Sequence, residues 1–147
     1  MDKTPSTLRF NGSLWCNLDV ALRNVERLFR QSICPPELTT IEWYILRALY
    51  ERDGQHASEL AQAVGRAATS FTPNLDKLES RRLIERRPDP EDRRAVRIFL
   101  TERGHTQRET VLRSAEQIDA KLRQMFPDAD FEVFQAVLAA LQTADLE

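Results

Sequence analysis

Side chains with reactive chemistry are few in this sequence and lie far apart. The two histidines, His56 and His105, and the two cysteines, Cys16 and Cys34, do not have the spacing of metal ligands. The sequence has no glycine-rich phosphate loop and no nucleophile elbow, and no pair of carboxylates is tied to a cleft. We therefore expect a protein that is not an enzyme and that uses no metal and no cofactor.

The distribution of charge is more informative than the reactive groups. The net charge is −2, yet residues 66–108 contain eleven Lys/Arg and seven Asp/Glu, whereas the remainder of the chain is acidic. A basic segment in an acidic body predicts one surface for a polyanion such as nucleic acid. A chance cluster of solvated charges is the alternative.

Length and composition limit the class of protein. With 147 residues, 41% hydrophobic and 30% charged, the chain fits one soluble globular domain over residues 1–147. No stretch approaches the roughly 18 apolar residues of a membrane span, and the first residues lack the apolar core of a secretory signal. Two cysteines do not make a disulfide framework, so the expected location is the cytoplasm.

Helical periodicity dominates the first part of the chain. Apolar residues spaced by three and four predict a long amphipathic helix over residues 11–32, which Pro35–Pro36 would end. A second helix is expected after Thr39 or Thr40. A short third helix is expected over Ser58–Val64, with its first residue as the N-cap.

The fourth helical segment, TSFTPNLDKLE from Thr69 to Glu79, contains a proline near its start. Pro73 has no N–H to donate and would clash with a carbonyl one turn back. A helix that begins later, with Ser70 or Thr72 as its N-cap, avoids this conflict, and a kink at Pro73 is the alternative. In both cases hydroxyl and free N–H groups would lie at a positive helix end, which attracts phosphate.

The periodicity then changes from helical to that of strands. Residues 83–87 and 94–100 predict two strands, and the sequence PDPED between them (Pro88 to Asp92) predicts a turn. The turn is not of the two-residue Asn-Gly type, so we expect a hairpin with a longer tip.

The C-terminal part returns to helical periodicity. Thr101 is the expected cap of a long helix that Pro127 interrupts, and Asp128 or Asp130 is the expected cap of the last helix. The order of four helices, a hairpin and two helices predicts a mainly α fold with a small β-hairpin wing, which is a winged helix-turn-helix with flanking helices.

The flanking helices carry more apolar surface than the middle of the chain can cover. We assign residues 37–100 to a DNA-binding winged helix-turn-helix region, and residues 10–34 and 101–147 to dimerisation helices. Helices of about 20 residues span roughly 30 Å, and their apolar stripes would remain in water without a partner. We therefore expect a symmetric homodimer.

Three stretches of the chain resemble one family of bacterial regulators. They are LTTIEWYILRALYERDG, then SELAQAVG followed by LDKLESRRLIERR, and finally EDRRAVRIFLTERG (Glu91 to Gly104). The last stretch is the most specific, since Asp92, Arg94, Leu100 and Thr101 fall in register with the family's wing signature. On these residues the chain resembles the MarR family of transcriptional regulators.

The resemblance implies an obligate dimer clasped by its first and last helices. It implies a recognition helix in the major groove of double-stranded DNA and a wing over the backbone or minor groove. The function it implies is a repressor that binds a pseudo-palindromic operator and is released by a small aromatic ligand or an oxidant. The alternative is a winged-helix dimer that acts as a protein-interaction module without DNA binding.

In such a regulator the polar residues of the fourth helix would contact DNA. Thr69 and Ser70 would lie near phosphate, while Thr72, Asn74 and Lys77 would face the groove, where Asn can read adenine and Lys can read guanine. An ordinary solvated helix face is the alternative.

The wing carries Arg86, Arg87, Arg93, Arg94 and Arg97, and the first four are a second set of candidate DNA contacts. Arg94 is the best candidate for insertion into a narrow minor groove, with Asp92 as its orienting partner. A surface ion pair between Asp92 and Arg94 that merely closes the hairpin is the alternative. For Arg81 and Arg82, after the recognition helix, we expect only a solubilising role.

The resemblance also implies an effector site where the first, second and fifth helices meet. The aromatic candidates are Trp15, Trp43 and Tyr44, with Arg23 or Arg47 as the partner of a ligand carboxylate; aromatic residues at this spacing are also typical of a core.

A redox role is a separate hypothesis, because some members of the family sense peroxide through a cysteine in the first helix. Cys16 lies near that position, but Thr40 and Trp43 occupy the places of the tyrosines found near such a thiol. A packed Cys16 is therefore the favoured interpretation. Cys34 precedes Pro35–Pro36 in an expected loop.

Overall fold

The computed structural model describes residues 8–33, 35–65 and 68–145, with the side chains of residues 68–70 outside the description. Seven α-helices and one three-stranded antiparallel sheet make up these residues, so the predicted fold class is confirmed. The elements are α1 (Leu14–Ser32), α2 (Thr40–Glu51), β1 (Gln55–His56), α3 (Ala57–Val64), α4 (Ala68–Ser80), β2 (Ile84–Pro88), β3 (Val96–Leu100), α5 (Glu102–Thr106), α6 (Arg108–Met125) and α7 (Asp128–Thr143).

The core forms where α2, α3, α4 and the sheet meet. Each contributes a fully buried apolar side chain, and these are Leu46, Leu60, Leu78 and Ile98. The long helix α6 is tied to this core because the indole N–H of Trp43 donates to the carbonyl of Val111 at 2.8 Å. The winged part of the chain and α6 therefore share one packed interior.

The helix starts differ from the predicted ones where side-chain caps decide them. Helix α1 begins at Leu14 instead of residue 11, because the Ser13 hydroxyl caps it by accepting the N–H of Cys16. Helix α3 begins at Ala57 with His56 as its N-cap, so the predicted Ser58 cap is wrong. The reason is that β1 leads directly into α3, and Glu59 accepts the His56 N–H at 2.9 Å.

Helix α4 begins earlier than the proline rule predicts. It runs from Ala68, so Pro73 lies inside the helix, and the predicted start after Ser70 or Thr72 is wrong. Phe71 and Leu75, on either side of the proline, are both buried in the core. Their burial offsets the backbone hydrogen bond that Pro73 cannot make.

The sheet contains the predicted hairpin and one strand that the sequence did not indicate. Strands β2 and β3 pair from Ile84 opposite Leu100 to Pro88 opposite Val96, and β1 pairs with the other edge of β3. Gly54 allows the chain to enter β1, since its φ is +70° and a Cβ there would lie 2.7 Å from the Phe99 ring.

The C-terminal helices are divided differently from the prediction. Thr101 does cap a helix, with its hydroxyl accepting the N–H of Gly104 at 3.0 Å, but α5 ends at Thr106 and α6 begins after Gln107. Pro127, and not Asp128 or Asp130, is the N-cap residue of α7. Within the described residues no helix is both long and apolar enough to cross a membrane.

Candidate nucleic-acid interface and effector cavity

One face of α4 is open to solvent. Thr72, Pro73 and Lys77 are exposed, whereas the opposite face is buried in the core. Asn74 lies at the edge of the open face, where its side-chain oxygen accepts the Thr39 hydroxyl at 3.2 Å. Thr69 is in the first turn of the helix, as is Ser70, but both side chains lie outside the described residues.

The end of α4 is held against the start of α2. The guanidinium of Arg81 lies 2.9 Å from a carboxylate oxygen of Glu42, whose side chain is fully buried. The expected solubilising role of Arg81 is therefore wrong, because its partner lies 39 positions away and no local pattern reveals it. Together with the contact between Thr39 and Asn74, this ion pair fixes α4 on α2.

The wing tip presents two open arginines. Arg93 and Arg94 are exposed, and neither forms an ion pair with a carboxylate of the described residues. Asp92 accepts the backbone N–H of Arg94 at 3.0 Å, so it contacts Arg94 through the backbone of the turn. The alternative of a closing ion pair between Asp92 and Arg94 is not observed.

The two arginines on β2 are engaged within the fold. Arg86 bridges to α4 through Asp76 at 2.7 Å and Glu79 at 2.9 Å. Arg87 pairs with Glu85 and lies over the Phe99 ring, 4.4 Å from its centroid. Of the wing arginines predicted to contact DNA, Arg93 and Arg94 are thus the pair with open guanidinium groups.

A buried carboxylate lies beside the open arginines. Asp89 is 4% exposed, and its oxygens accept hydrogen bonds from Arg97 and from the backbone N–H of Glu91, while Nε2 of His56 lies 3.1 Å away. The Glu91 N–H first, and then Arg97, holds the pKa of Asp89 below its usual range. The sequence marked this segment only as a turn.

A cavity of about 510 Å³ lies between α1, α2 and α6. Trp43 and Tyr44 line it with their rings in an edge-to-face arrangement, and Arg47 contributes a guanidinium. Trp15 and Arg23 do not line this cavity, contrary to expectation. Trp15 is 75% exposed, and Arg23 pairs with Asp19 on the surface of α1.

Of the two cysteines, only Cys16 falls among the described residues. Cys16 is a free, half-buried thiol near the start of α1. Cys34 lies outside the described residues. Over the described ranges, no group of three or more His, Cys, Asp or Glu side chains could hold a metal ion.

The helices, the sheet and the open basic tip define a winged helix-turn-helix protein of the DNA-binding class. The MarR family model matches residues 38–96. The uncharacterized HTH-type transcriptional regulator YsmB of Bacillus subtilis is 26% identical over 135 residues, which cover 86% of this chain and 89% of YsmB. The HTH-type transcriptional repressor NicR of Pseudomonas putida is 33% identical over 91 residues, which cover 62% of this chain and 58% of NicR.

A solved structure agrees with these relatives along most of the chain. The transcriptional repressor CouR, bound to a 23-mer DNA duplex, superposes with a TM-score of 0.76 at 26% identity, covering 88% of this chain and 92% of CouR. Together these comparisons support a transcriptional regulator of the MarR type. Because these relatives regulate transcription, the expectation that the protein is not an enzyme is confirmed.

Proposed function

We propose that this protein is a cytoplasmic, homodimeric repressor that binds a pseudo-palindromic operator and is released by a small aromatic effector. The observation that carries the proposal is the pair of open arginines, Arg93 and Arg94, at the tip of a wing, in a fold that also leaves one face of α4 exposed. An exposed helix face fits the major groove, and unpaired guanidinium groups at a protruding tip fit the backbone or minor groove.

The terminal helices support the dimer. They expose far more large apolar side chains than a monomer in water normally leaves open. The exposed residues are Leu14, Trp15, Leu18 and Leu22 on α1, Met125 at the end of α6, and Val133, Val137, Leu138 and Leu141 on α7. A second copy packed on the same helices would cover them and place two wings about one helical turn of DNA apart.

Two relatives support repression as the mode of regulation. NicR is named a transcriptional repressor, and so is CouR, which was solved on DNA. A repressor needs only to occupy its operator, so no additional contact surface for polymerase is required of this chain.

The cavity supports an aromatic effector that carries an acidic group. Trp43 and Tyr44 provide aromatic walls and Arg47 provides a cation, whereas Glu26 and Asp119 on the same lining would repel a second carboxylate.

The oxidant alternative depends on Cys16. The test measures the DNA affinity of wild type and of Cys16→Ser before and after peroxide. Equal losses of affinity in the two proteins would exclude Cys16 as the sensor.

Selection of genomic fragments on the purified protein tests the proposal. We expect a small set of pseudo-palindromic sites. For each tenfold rise in salt concentration, the logarithm of the binding constant should fall by about 0.9 per neutralised phosphate. Benzoate and 4-hydroxybenzoate should quench tryptophan fluorescence and release the selected fragments, and Arg47→Leu should weaken both effects. Failure to retain any fragment in a salt-dependent manner would instead favour the protein-interaction module.

A further inference from the structure

Asp89 is an unusual residue to find at the tip of a wing. It lies between Pro88 and Pro90 and is almost fully buried, whereas its neighbours Glu91 and Asp92 are exposed. A buried carboxylate is costly unless hydrogen bonds and charges compensate for the lost water. The compensating groups at Asp89 come from both sides of the wing.

One carboxylate oxygen of Asp89 organises the tip. Oδ1 accepts the backbone N–H of Glu91 at 2.8 Å and faces that of Asp92 at 3.4 Å. The tip is closed by two backbone bonds, from Asp89 N–H to the Ala95 carbonyl and from Ala95 N–H to the Asp92 carbonyl. Residues 93 and 94 lie within this closed turn, so the backbone that carries the two open arginines is fixed to Asp89.

The other oxygen connects the tip to the helix-turn-helix. Oδ2 lies 2.8 Å from Nε of Arg97 on β3 and 3.1 Å from Nε2 of His56, the N-cap residue of α3. Arg97 also donates to the carbonyl of Gly54 at 3.1 Å. Since β1 is only two residues long, these side-chain contacts reinforce a short backbone connection between the wing and α3.

We propose that Asp89 is a positioning residue for DNA binding, because it fixes Arg93 and Arg94 relative to α3 through His56 and Arg97. This inference rests on the proposed function. It makes a prediction opposite to that of simple electrostatics. Removing a negative charge near the phosphate backbone should strengthen DNA binding, whereas removing a positioning residue weakens it.

The DNA experiment compares Asp89→Asn with Glu91→Gln in the full-length protein. Both variants remove one negative charge from the same tip, but Glu91 is exposed. On the selected operator at fixed salt, we expect Asp89→Asn to lose about tenfold or more in affinity and its salt slope to become shallower by about one per arginine displaced. Glu91→Gln should bind as well as wild type or better. An Asp89→Asn protein that binds as tightly as Glu91→Gln would overturn the inference.

Trypsin cleavage of the free protein tests the same contact without DNA. Cleavage after Arg93 and Arg94 should be several-fold faster in Asp89→Asn than in wild type, and unchanged in Glu91→Gln. Equal rates in the three proteins would overturn the inference. If wild type retains no DNA, the proposed function fails. Trypsin cleavage still decides in that case whether Asp89 holds the wing tip in place.

Arg97→Gln and His56→Gln provide milder tests in case Asp89→Asn does not fold. Each should accelerate tip cleavage, and unchanged cleavage in both would overturn the inference. Where Asp89→Asn does fold, combining it with Arg97→Gln should add little to the larger single effect, because both substitutions remove the same contact. Fully additive effects of the two substitutions would show that the residues act separately and would overturn the inference.

Discussion

Arg81 Nη1 lies 2.9 Å from Glu42 Oε2, and this contact joins the residue after α4 to the first turn of α2. The same oxygen accepts the backbone N–H of Thr39 at 3.0 Å, which completes a capping box. Oε1 of Glu42 has no hydrogen-bond donor among the described residues. Arg81 is therefore the group that balances a fully buried carboxylate charge.

Loss of Arg81 should therefore destabilise the protein. Removing one partner of a buried ion pair leaves an uncompensated charge, but Arg81 is itself 37% exposed, so we expect Arg81→Ala to cost on the order of 2 kcal/mol in the free energy of unfolding. Urea unfolding at one fixed protein concentration measures it. Arg82→Ala is the matched control, because it removes the same charge from an exposed neighbour and should cost under about 0.5 kcal/mol. Equal losses of stability in the two variants would show that the contact between Arg81 and Glu42 does not stabilise the fold.

Gly54 should tolerate a side chain poorly. Gly54 and Gly65 both have positive φ, so Gly→Ala should cost about 1 kcal/mol at either from backbone strain. At Gly54 the new Cβ would also lie 2.7 Å from Phe99, whereas at Gly65 it would meet no non-adjacent atom of the described residues within 4 Å. We expect a larger fall in melting temperature for Gly54→Ala than for Gly65→Ala. Similar falls would mean that the Phe99 ring moves aside freely.

The parts of the fold that the sequence predicted are those set by local patterns. The apolar stripe of α1 and the alternating residues of β3 have clear periods, and both elements were predicted near their observed bounds. Strand β1 has two residues and therefore no period, so its pairing with β3 depends on the rest of the fold. The predicted start of α4 was wrong because it followed a local rule, which places proline near the beginning of a helix. Tertiary packing overrides that rule at Pro73.

The candidate site was predictable by residue type and not by partner. An arginine-rich wing was evident from the sequence, but which arginines are open depends on carboxylates that are close only in space. Arg86 is engaged by Asp76 and Glu79 of α4, and no spacing in the sequence predicts that pairing. The burial of Asp89 likewise depends on Arg97 and His56, which come from two other strands.

Replacing Pro73 should stabilise the isolated protein. Pro73→Ala restores an N–H to the interior of α4 and removes a clash one turn back, which should raise the free energy of unfolding by about 1 kcal/mol or more. Thr72→Ala is a suitable control, because it changes an exposed neighbour and gains only about 0.5 kcal/mol of helix propensity. A less stable Pro73→Ala would show that the proline sets a helix shape needed to bury Phe71 and Leu75.

Tyr50 should make stability depend on alkaline pH. Burial raises the pKa of Tyr50 to about 12, with Arg108 opposing the shift, and its hydroxyl donates to the Gly104 carbonyl at 2.8 Å. Because the folded pKa lies above the unfolded value of about 10, this contribution is complete below pH 10 and is lost between about pH 10 and 12. Unfolding midpoints across that range should fall more steeply for wild type than for Tyr50→Phe, which itself should cost about 1 kcal/mol at neutral pH. If the unfolding midpoints of wild type and Tyr50→Phe fell in parallel with pH, the raised pKa of Tyr50 would be contradicted.

Arg94 should contribute affinity for DNA of any sequence. Its guanidinium is open at the wing tip, so Arg94→Ala should weaken binding to the selected operator and to unrelated duplexes alike, and lower the salt slope by about one per arginine lost. Gel-shift titrations at several salt concentrations measure both quantities, and sedimentation should show the same oligomer as wild type. Arg113→Ala on α6, outside the wing, removes an equal charge and should leave both quantities unchanged. Unchanged affinity in Arg94→Ala would remove this residue from the interface and leave Arg93 as the open guanidinium at the tip.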